Sequence, residues 1–397
     1  MALLSHEGGG ISSVTYGLGR SLSTKKIETA IFSTSTRRES GTEEINEYLR
    51  VTHLPMVDLP PRSFWFTLKN LDRLSRLLGD YDVIHGVSPE MASSYAWFGK
   101  HSKKPLVTTL HGSSRAALEA FIHSSVRNWV LSDFAFNVLE LPLHDMTTKT
   151  CMSKSDEVVV CSFTTLAELR DYEKIDASKV SVIYNGVDLD EIQQGTEEGV
   201  SNEEDKEYEY SLMYAGRLFW MKGISFALRA YLNLRSQFKD LHLKIFGKGP
   251  MESEIKRFVA SQGLKDYVHF GDFLPHRELI SEIKKSDAVV FPSLYESQPM
   301  FALETMACKK PLIAFDLPYA REIIKSGHNG LLARTGDVED LSSKIALTLC
   351  DADFSSKLGE NAYQYIKRNH DWGTQADKYL KVYSKVTNKH DVLSSST

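Results

Sequence analysis

Apolar residues along this chain come in short bursts rich in β-branched side chains, each followed by a longer polar stretch with apolar positions at helical spacing. YDVIHGVS (81–88), PLVTTLHG (105–112), EVVVCS (157–162) and VSVIYNG (180–186) are the bursts of the first half. Strands that alternate with helices in this way build parallel sheets. The rhythm stops at 193–210, QQGTEEGVSNEEDKEYEY, where acidic and small residues lack apolar periodicity and a solvated linker is predicted. It resumes with SLMYAGRL, LHLKIFGKG, YVHFGDF, AVVFPS, PLIAF and GLLAR, separated by segments such as MESEIKRFVASQG. Three helical segments close the chain, the last being TQADKYLKVYSKVT, and the tail HDVLSSST is expected to fray. No repeat of about 20–50 residues is visible.

The pattern predicts an α/β protein of two Rossmann-like, doubly wound domains. The first spans 1–190 and the second 211–370, with an acidic linker at 191–210 and a flexible tail at 389–397; a helix at about 371–388 is expected to pack back on the first domain. A chain of 397 residues is too long for one comfortable core, which agrees with two domains. Two such units place the carboxyl ends of two parallel sheets where they can face one cleft, and a nucleotide is the default ligand there. Dehydrogenases and binding proteins use the same architecture, so the fold alone does not choose the function.

Composition narrows the choice. With 42% hydrophobic and 25% charged residues the chain is globular, and a net charge of −5 argues against a general nucleic-acid binder. Cys151, Cys161, Cys308 and Cys350 show no CxxC pairing and read as reduced thiols of a cytoplasmic protein, with no zinc site. Met1 to Ser5 is too short for a signal peptide, and no apolar run approaches the roughly 18 residues that span a bilayer. Peripheral contact with the inner face of the cell membrane stays open, as does the oligomeric state.

The strongest chemical signal is FPSLYESQPMFALETMACKKPLIAF (291–315), in which Glu296 and Glu304 are separated by seven residues between two predicted strands. Pro299 suits a first helical turn, with Ser297 as its N-cap. The free amides of Met300 and Phe301 can then face an anion such as a diphosphate. Glu304 falls in MFALETMA, apolar nearly all round, where a carboxylate needs a partner. Ribose hydroxyls would serve, and so would a cation such as Lys310. Glu296 taken alone reads first as a solvated loop charge.

The whole stretch resembles the signature of the retaining nucleotide-sugar glycosyltransferases of family 4, which have the GT-B fold. Further elements of the resemblance are GGGI at Gly8 to Ile11, TTLHG with His111, YNGVD at Tyr184 to Asp188, AGRL with Gly216 and Arg217, Lys222-Gly223, and GKGP. The resemblance implies that Glu296 hydrogen-bonds hydroxyls of the donor sugar, Glu304 accepts from the ribose, and Arg217 and Lys222 neutralise the diphosphate. It also implies that His111 contacts the donor sugar. Gly9 and Gly10, in a loop between the strand MALLS and a helix, would bring bare backbone against the donor. His85 is a weaker candidate one strand away. Similar enzymes carry glycines where this chain has Ser297, Pro299 and Lys309, and they begin with a longer first strand than MALLS.

A retaining transfer from a UDP- or GDP-linked sugar is therefore expected, with the donor as co-substrate and no further cofactor. The resemblance suggests front-face attack by the acceptor, the leaving phosphate helping to take its proton. No metal is expected: the spacings Asp188/Asp190 and Asp351/Asp353 fall away from the phosphate site. The rival readings are a nucleotide-sugar epimerase or glycosyl phosphorylase, and a non-catalytic nucleotide-sugar-binding subunit; a dinucleotide oxidoreductase lacks its GxGxxG. The acceptor, whether glycan, lipid-linked or small molecule, is not legible. Residues 60–115 carry eight Lys or Arg against four Asp or Glu, and SFWFTLKNLDRLSRLL (63–78) reads either as a basic amphipathic helix for an anionic membrane or as an ordinary surface helix. The aromatic-rich stretch 121–136 fits core or acceptor groove.

Overall fold

A computed structural model describes residues 1–5, 9–35, 41–55, 69–70, 76–88, 92, 95–96, 104–123, 145–175, 179–194 and 208–394. The chain forms two compact units, one made of Met1–Gly186 with Trp372–Thr397 and the other of Val187–Asp371.

In the first unit the strands are β1 (Ala2–Ser5), β2 (Thr29–Ser35), β3 (Gly41–Asn46), β4 (Leu49–Pro55), β5 (Ile84–Gly86), β6 (Leu106–Leu110), β7 (Glu157–Val160) and β8 (Val180–Val182). They form one sheet in the order β3-β4-β2-β1-β5-β6-β7-β8. Every pairing is parallel except that of β3 with β4. Buried strands such as LVTTL and EVVV read as continuous β-formers because both faces are covered. β3, GTEEIN, is exposed throughout and sits at the sheet edge, so it carries no apolar signal that the sequence could offer.

The helix Trp372–Ser394 belongs to this first unit. Ala376, Tyr379, Tyr383 and Val386, one helical face at three- and four-residue spacing, are buried. His85 anchors it: Nδ1 lies 2.8 Å from the Tyr383 hydroxyl and Nε2 2.8 Å from Thr109 Oγ1. Burial and then the nearby His111 push the imidazole down to about 3, so it stays neutral and joins the two partners. His85 is 0% exposed and is a structural residue with no free face for a donor. The Trp372 ring fills the space beside Gly17 and Gly186, where any Cβ would overlap it. The tail expected to fray from 389 continues the helix to Ser394, leaving 395–397 outside the described residues.

In the second unit β9 (Tyr210–Ala215), β10 (Leu241–Phe246), β11 (Val268–Gly271), β12 (Ala288–Phe291), β13 (Leu312–Phe315) and β14 (Leu331–Ala333) form an all-parallel sheet ordered β11-β10-β9-β12-β13-β14. Chain direction across the sheet reverses between β9 and β12, the kind of position at which open α/β sheets bind ligands. The core beneath is built from Met213, Val289, Leu303, Met306, Leu312 and Ile366. Lys309, standing where a glycine is expected, has φ +59, the left-handed conformation that explains a glycine preference at this point.

The expected boundary at 190 shifts. Val187 N donates to His370 O at 2.7 Å, and Ile192 of the helix Leu189–Gln194 enters the second core, so 187–194 pack with the second unit rather than ending the first. Of the predicted linker, 195–207 lie outside the described residues. So do most of 63–78 and of 121–136, the proposed membrane helix and acceptor stretch. Among the described residues no helix is long and apolar enough to cross a membrane.

Candidate functional site

Two loops meet at the reversal point of the second sheet. The chain leaves β9 through Gly216 and Arg217, makes a single 3-10 turn at Trp220–Lys222, and enters the helix Ile224–Leu234 through Gly223. Gly223 has φ +73, and a Cβ on it would overlap the carbonyl oxygen of Pro292 in the loop after β12. That close approach lets Leu294 N donate to Met221 O at 2.8 Å. The Tyr319 hydroxyl donates to Ser293 O at 2.8 Å, and burial followed by the charge of Glu296 raises its pKa well above the usual range, so it remains a donor. On the other flank, Gly247 and Gly249 of GKGP lie where any Cβ would overlap the carbonyls of Gly216 and Leu218, and Leu218 N donates to Lys248 O at 2.9 Å.

The result is an ion pair between residues 74 positions apart. Lys222 Nζ donates to Glu296 Oε1 at 2.6 Å, and Ser293 Oγ lies 2.8 Å from the same oxygen. The Glu296 side chain is 13% exposed, so it is no solvated loop charge. Arg217 lies over the Phe219 ring with 5.5 Å from its guanidinium carbon to the centroid.

The helix Met300–Ala307 starts beside this pair. Its N-cap is Pro299, with no side-chain cap, so Pro299 lies one position outside the first turn and Ser297 does not cap. Leu303 N bonds back to Pro299 O, while the amides of Met300, Phe301 and Ala302 lack intrahelical acceptors by geometry. Such amides and the helix dipole favour an anion.

Glu304 lies one turn further along, its side chain 6% exposed. Its partner is not Lys310 but His276, the first residue of the helix His276–Lys285, whose Nε2 is 3.1 Å from Glu304 Oε1. The other ring nitrogen, Nδ1, is 3.3 Å from Glu191 Oε1. A neutral imidazole has one N–H and can serve only one of two carboxylates. The hydrogen bonds to Glu191 and then Glu304 raise His276 to about 10, so the ring carries both protons and donates to both. Phe273, three residues earlier, is 75% exposed.

The remaining candidates belong to the first unit. Gly9 and Gly10 do not form a loop; they open the helix Gly9–Thr24, Gly9 at φ +76, while Gly8 is outside the described residues. His111 follows β6, its Nε2 2.9 Å from Val87 O.

Sequence comparison meets this geometry from both sides. Residues 8–191 match the family described as Glycosyltransferase Family 4, and residues 196–365 that described as Glycosyl transferases group 1. The chain belongs to the family 4, group 1 glycosyltransferases. An uncharacterised glycosyltransferase of Methanocaldococcus jannaschii is 23% identical over 345 residues, 85% of this chain and 82% of that protein. Among solved structures, sucrose-phosphate synthase from Thermosynechococcus elongatus superposes with a TM-score of 0.79 at 20% identity, covering 98% of this chain and 99% of that one. HepE of Anabaena, solved with UDP-glucose, gives 0.71 at 16% identity, covering 97% and 100%. These likenesses establish the GT-B fold for this glycosyltransferase.

In this glycosyltransferase Ser293, His276 and Glu191 are the residues that motif reading missed. FPS reads only as a strand end, His276 and Glu191 belong to none of the motifs, and the paired residues lie 3, 28 and 85 positions apart along the chain. The acid spacings have structural uses: Asp188 Oδ1 accepts from Glu191 N at 2.9 Å, and Asp351 Oδ1 caps the helix Ala352–Asn369 through Phe354 N at 2.9 Å.

Proposed function

We propose that this glycosyltransferase transfers a sugar from a nucleoside diphosphate donor, UDP- or GDP-linked, with retention of configuration at the anomeric carbon. The observation that carries the reading is the Lys222–Glu296 ion pair at the sheet's reversal point. It puts an acceptor of sugar hydroxyls and a cation for the leaving phosphate within one hydrogen bond of each other, the separation a sugar–phosphate linkage needs. When donor binds, sugar hydroxyls donate to Glu296, while Lys222, Arg217 and the amides of Met300 and Phe301 take up the diphosphate charge. Charge that develops as the glycosidic bond breaks meets groups already in place. Glu304 accepts from the ribose, and the exposed Phe273 ring offers a stacking face to the base. The roles of His111, Gly9 and Gly10 rest on the resemblance. The UDP-glucose complex of HepE makes UDP-sugars the first donors to test. Free thiols at all four cysteines accord with a cytoplasmic enzyme.

A screen of nucleotide sugars for binding and slow hydrolysis identifies the donor, and the product's anomeric configuration by NMR tests retention. An inverted product overturns the retaining reading. Interconversion of donor sugars without transfer would make the chain an epimerase, sugar release by phosphate a phosphorylase, and binding without turnover a non-catalytic subunit.

Lys222→Ala and Arg217→Ala are each expected to weaken nucleoside diphosphate binding by about 1.5–3 kcal/mol, the range for a hydrogen bond to a charged group, while free nucleoside binding changes little. Titration calorimetry with both ligands checks this. Equal losses would indicate a folding defect instead.

Transfer is expected to survive exhaustive chelation with EDTA, because Lys222, Arg217 and the helix start carry the diphosphate charge in this reading. Asp351→Asn should be nearly silent, asparagine being as good an N-cap as aspartate. Activity lost on chelation and restored by magnesium or manganese would remove the metal-free mechanism.

A further inference from the structure

We propose that His276 is a positioning residue for nucleotide recognition, held between the carboxylates of Glu191 and Glu304 so that Glu304 presents a fixed oxygen to the ribose. The inference rests on the reading that Glu304 accepts from the ribose hydroxyls. It goes beyond it by naming what makes that carboxylate able to do so.

A carboxylate on a helix packed into an apolar core is costly to bury alone and would turn toward any donor within reach. Glu304 lies among Leu303, Met306 and Ala307 of its own helix, all buried. His276 occupies Oε1 at 3.1 Å and brings a positive charge with it. An ionised carboxylate accepts at both oxygens, so with Oε1 committed to the ring, Oε2 is the acceptor that remains for a diol.

Glu191 does the second half of the work. Its bond to Nδ1 sets the plane of the ring, as the partner of one imidazole nitrogen generally orients the other. Glu191 is itself fixed at the start of the helix Leu189–Gln194, where Asp188 caps its amide. Three elements thus meet at one imidazole: the short helix after YNGVD, the start of the helix His276–Lys285 and the helix that carries the second glutamate of the motif. None of them supplies a reacting group, so the role is one of affinity and orientation.

The test compares the nucleoside diphosphate that the donor screen selects, UDP or GDP, with its dideoxyribose form, by calorimetry on the whole protein. Wild type is expected to prefer the ribose form by roughly 10- to 100-fold, the value of a hydrogen bond to a charged group. Glu304→Ala should erase the preference. His276→Ala should shrink it to about a tenth while affinity for the dideoxy form holds, and His276→Gln, whose amide can donate from near the Nε2 position, should restore part of it. Glu191→Gln should act in the same direction as His276→Ala, more weakly. No preference in wild type overturns the reading of Glu304, and the inference falls with it. A preference that Glu304→Ala erases but His276→Ala leaves intact overturns the positioning role alone, as does a His276→Ala variant that loses equal affinity for both ligands.

Discussion

Replacing Glu296 with alanine is expected to reduce transfer by about 10²–10³-fold, the range for losing one preorganised polar contact at a reacting centre, while nucleoside diphosphate binding is held or tightened. The second half of this expectation comes from the geometry. Glu296 holds Lys222 at 2.6 Å, so a bound diphosphate competes with the carboxylate for the ammonium. Removing the carboxylate ends that competition. Ser293, which lies 2.8 Å from the same oxygen, keeps the carbonyls of Met221 and Tyr295 as acceptors. Turnover measured beside diphosphate affinity decides the matter. Wild-type turnover in Glu296→Ala would remove this residue from the site, and a large loss of diphosphate affinity would mean that the pair acts as a unit on the phosphate.

The second large effect is expected at Gly223. Alanine there must hold φ +73, which costs a residue with a side chain about 1–2 kcal/mol, and its Cβ collides with the Pro292 carbonyl, adding about 1–3 kcal/mol. Unfolding in denaturant should therefore show the variant less stable by about 2–5 kcal/mol. Gly336→Ala is the control, because Gly336 has φ +77 with open space around it and incurs the backbone cost alone. Activity of folded Gly223→Ala should also fall, since Lys222 precedes the glycine and the displaced Pro292 leads to Glu296. If the two variants are equally destabilised, the close approach of the two loops is not what Gly223 maintains.

Much of this glycosyltransferase was legible before any coordinates. Strands buried on both faces advertise themselves as unbroken apolar runs, which is why every strand of the second unit falls on a burst read from the pattern, β9 starting one residue early at Tyr210, which the pattern gives to the linker. In the first unit β2, β3 and β4 gave no such reading, and β3 could not, being polar and exposed. The helix starts were blurred by a residue or two. The place of Gly9 and Gly10 between MALLS and a helical pattern suggests a loop, yet they open the helix, since first-turn positions tolerate glycine where the chain must enter at positive φ. Pro299 was placed in the first turn, whereas it is the cap.

The sequence by itself determined the class of fold, the two-unit plan and the family, and it put Glu296 and Glu304 forward as candidates, because periodicity and motif spacing are local properties of the chain. Only the tertiary structure decided who pairs with whom. Glu304 needed a partner on electrostatic grounds, and Lys310 was a cation close along the chain, but the fold brings His276 to it, with Glu191 on the other side of the ring. The reversal of strand order joins Lys222 to Glu296 across 74 residues. Strand order is settled by which buried faces pack best over the whole domain, and no window of sequence contains that sum.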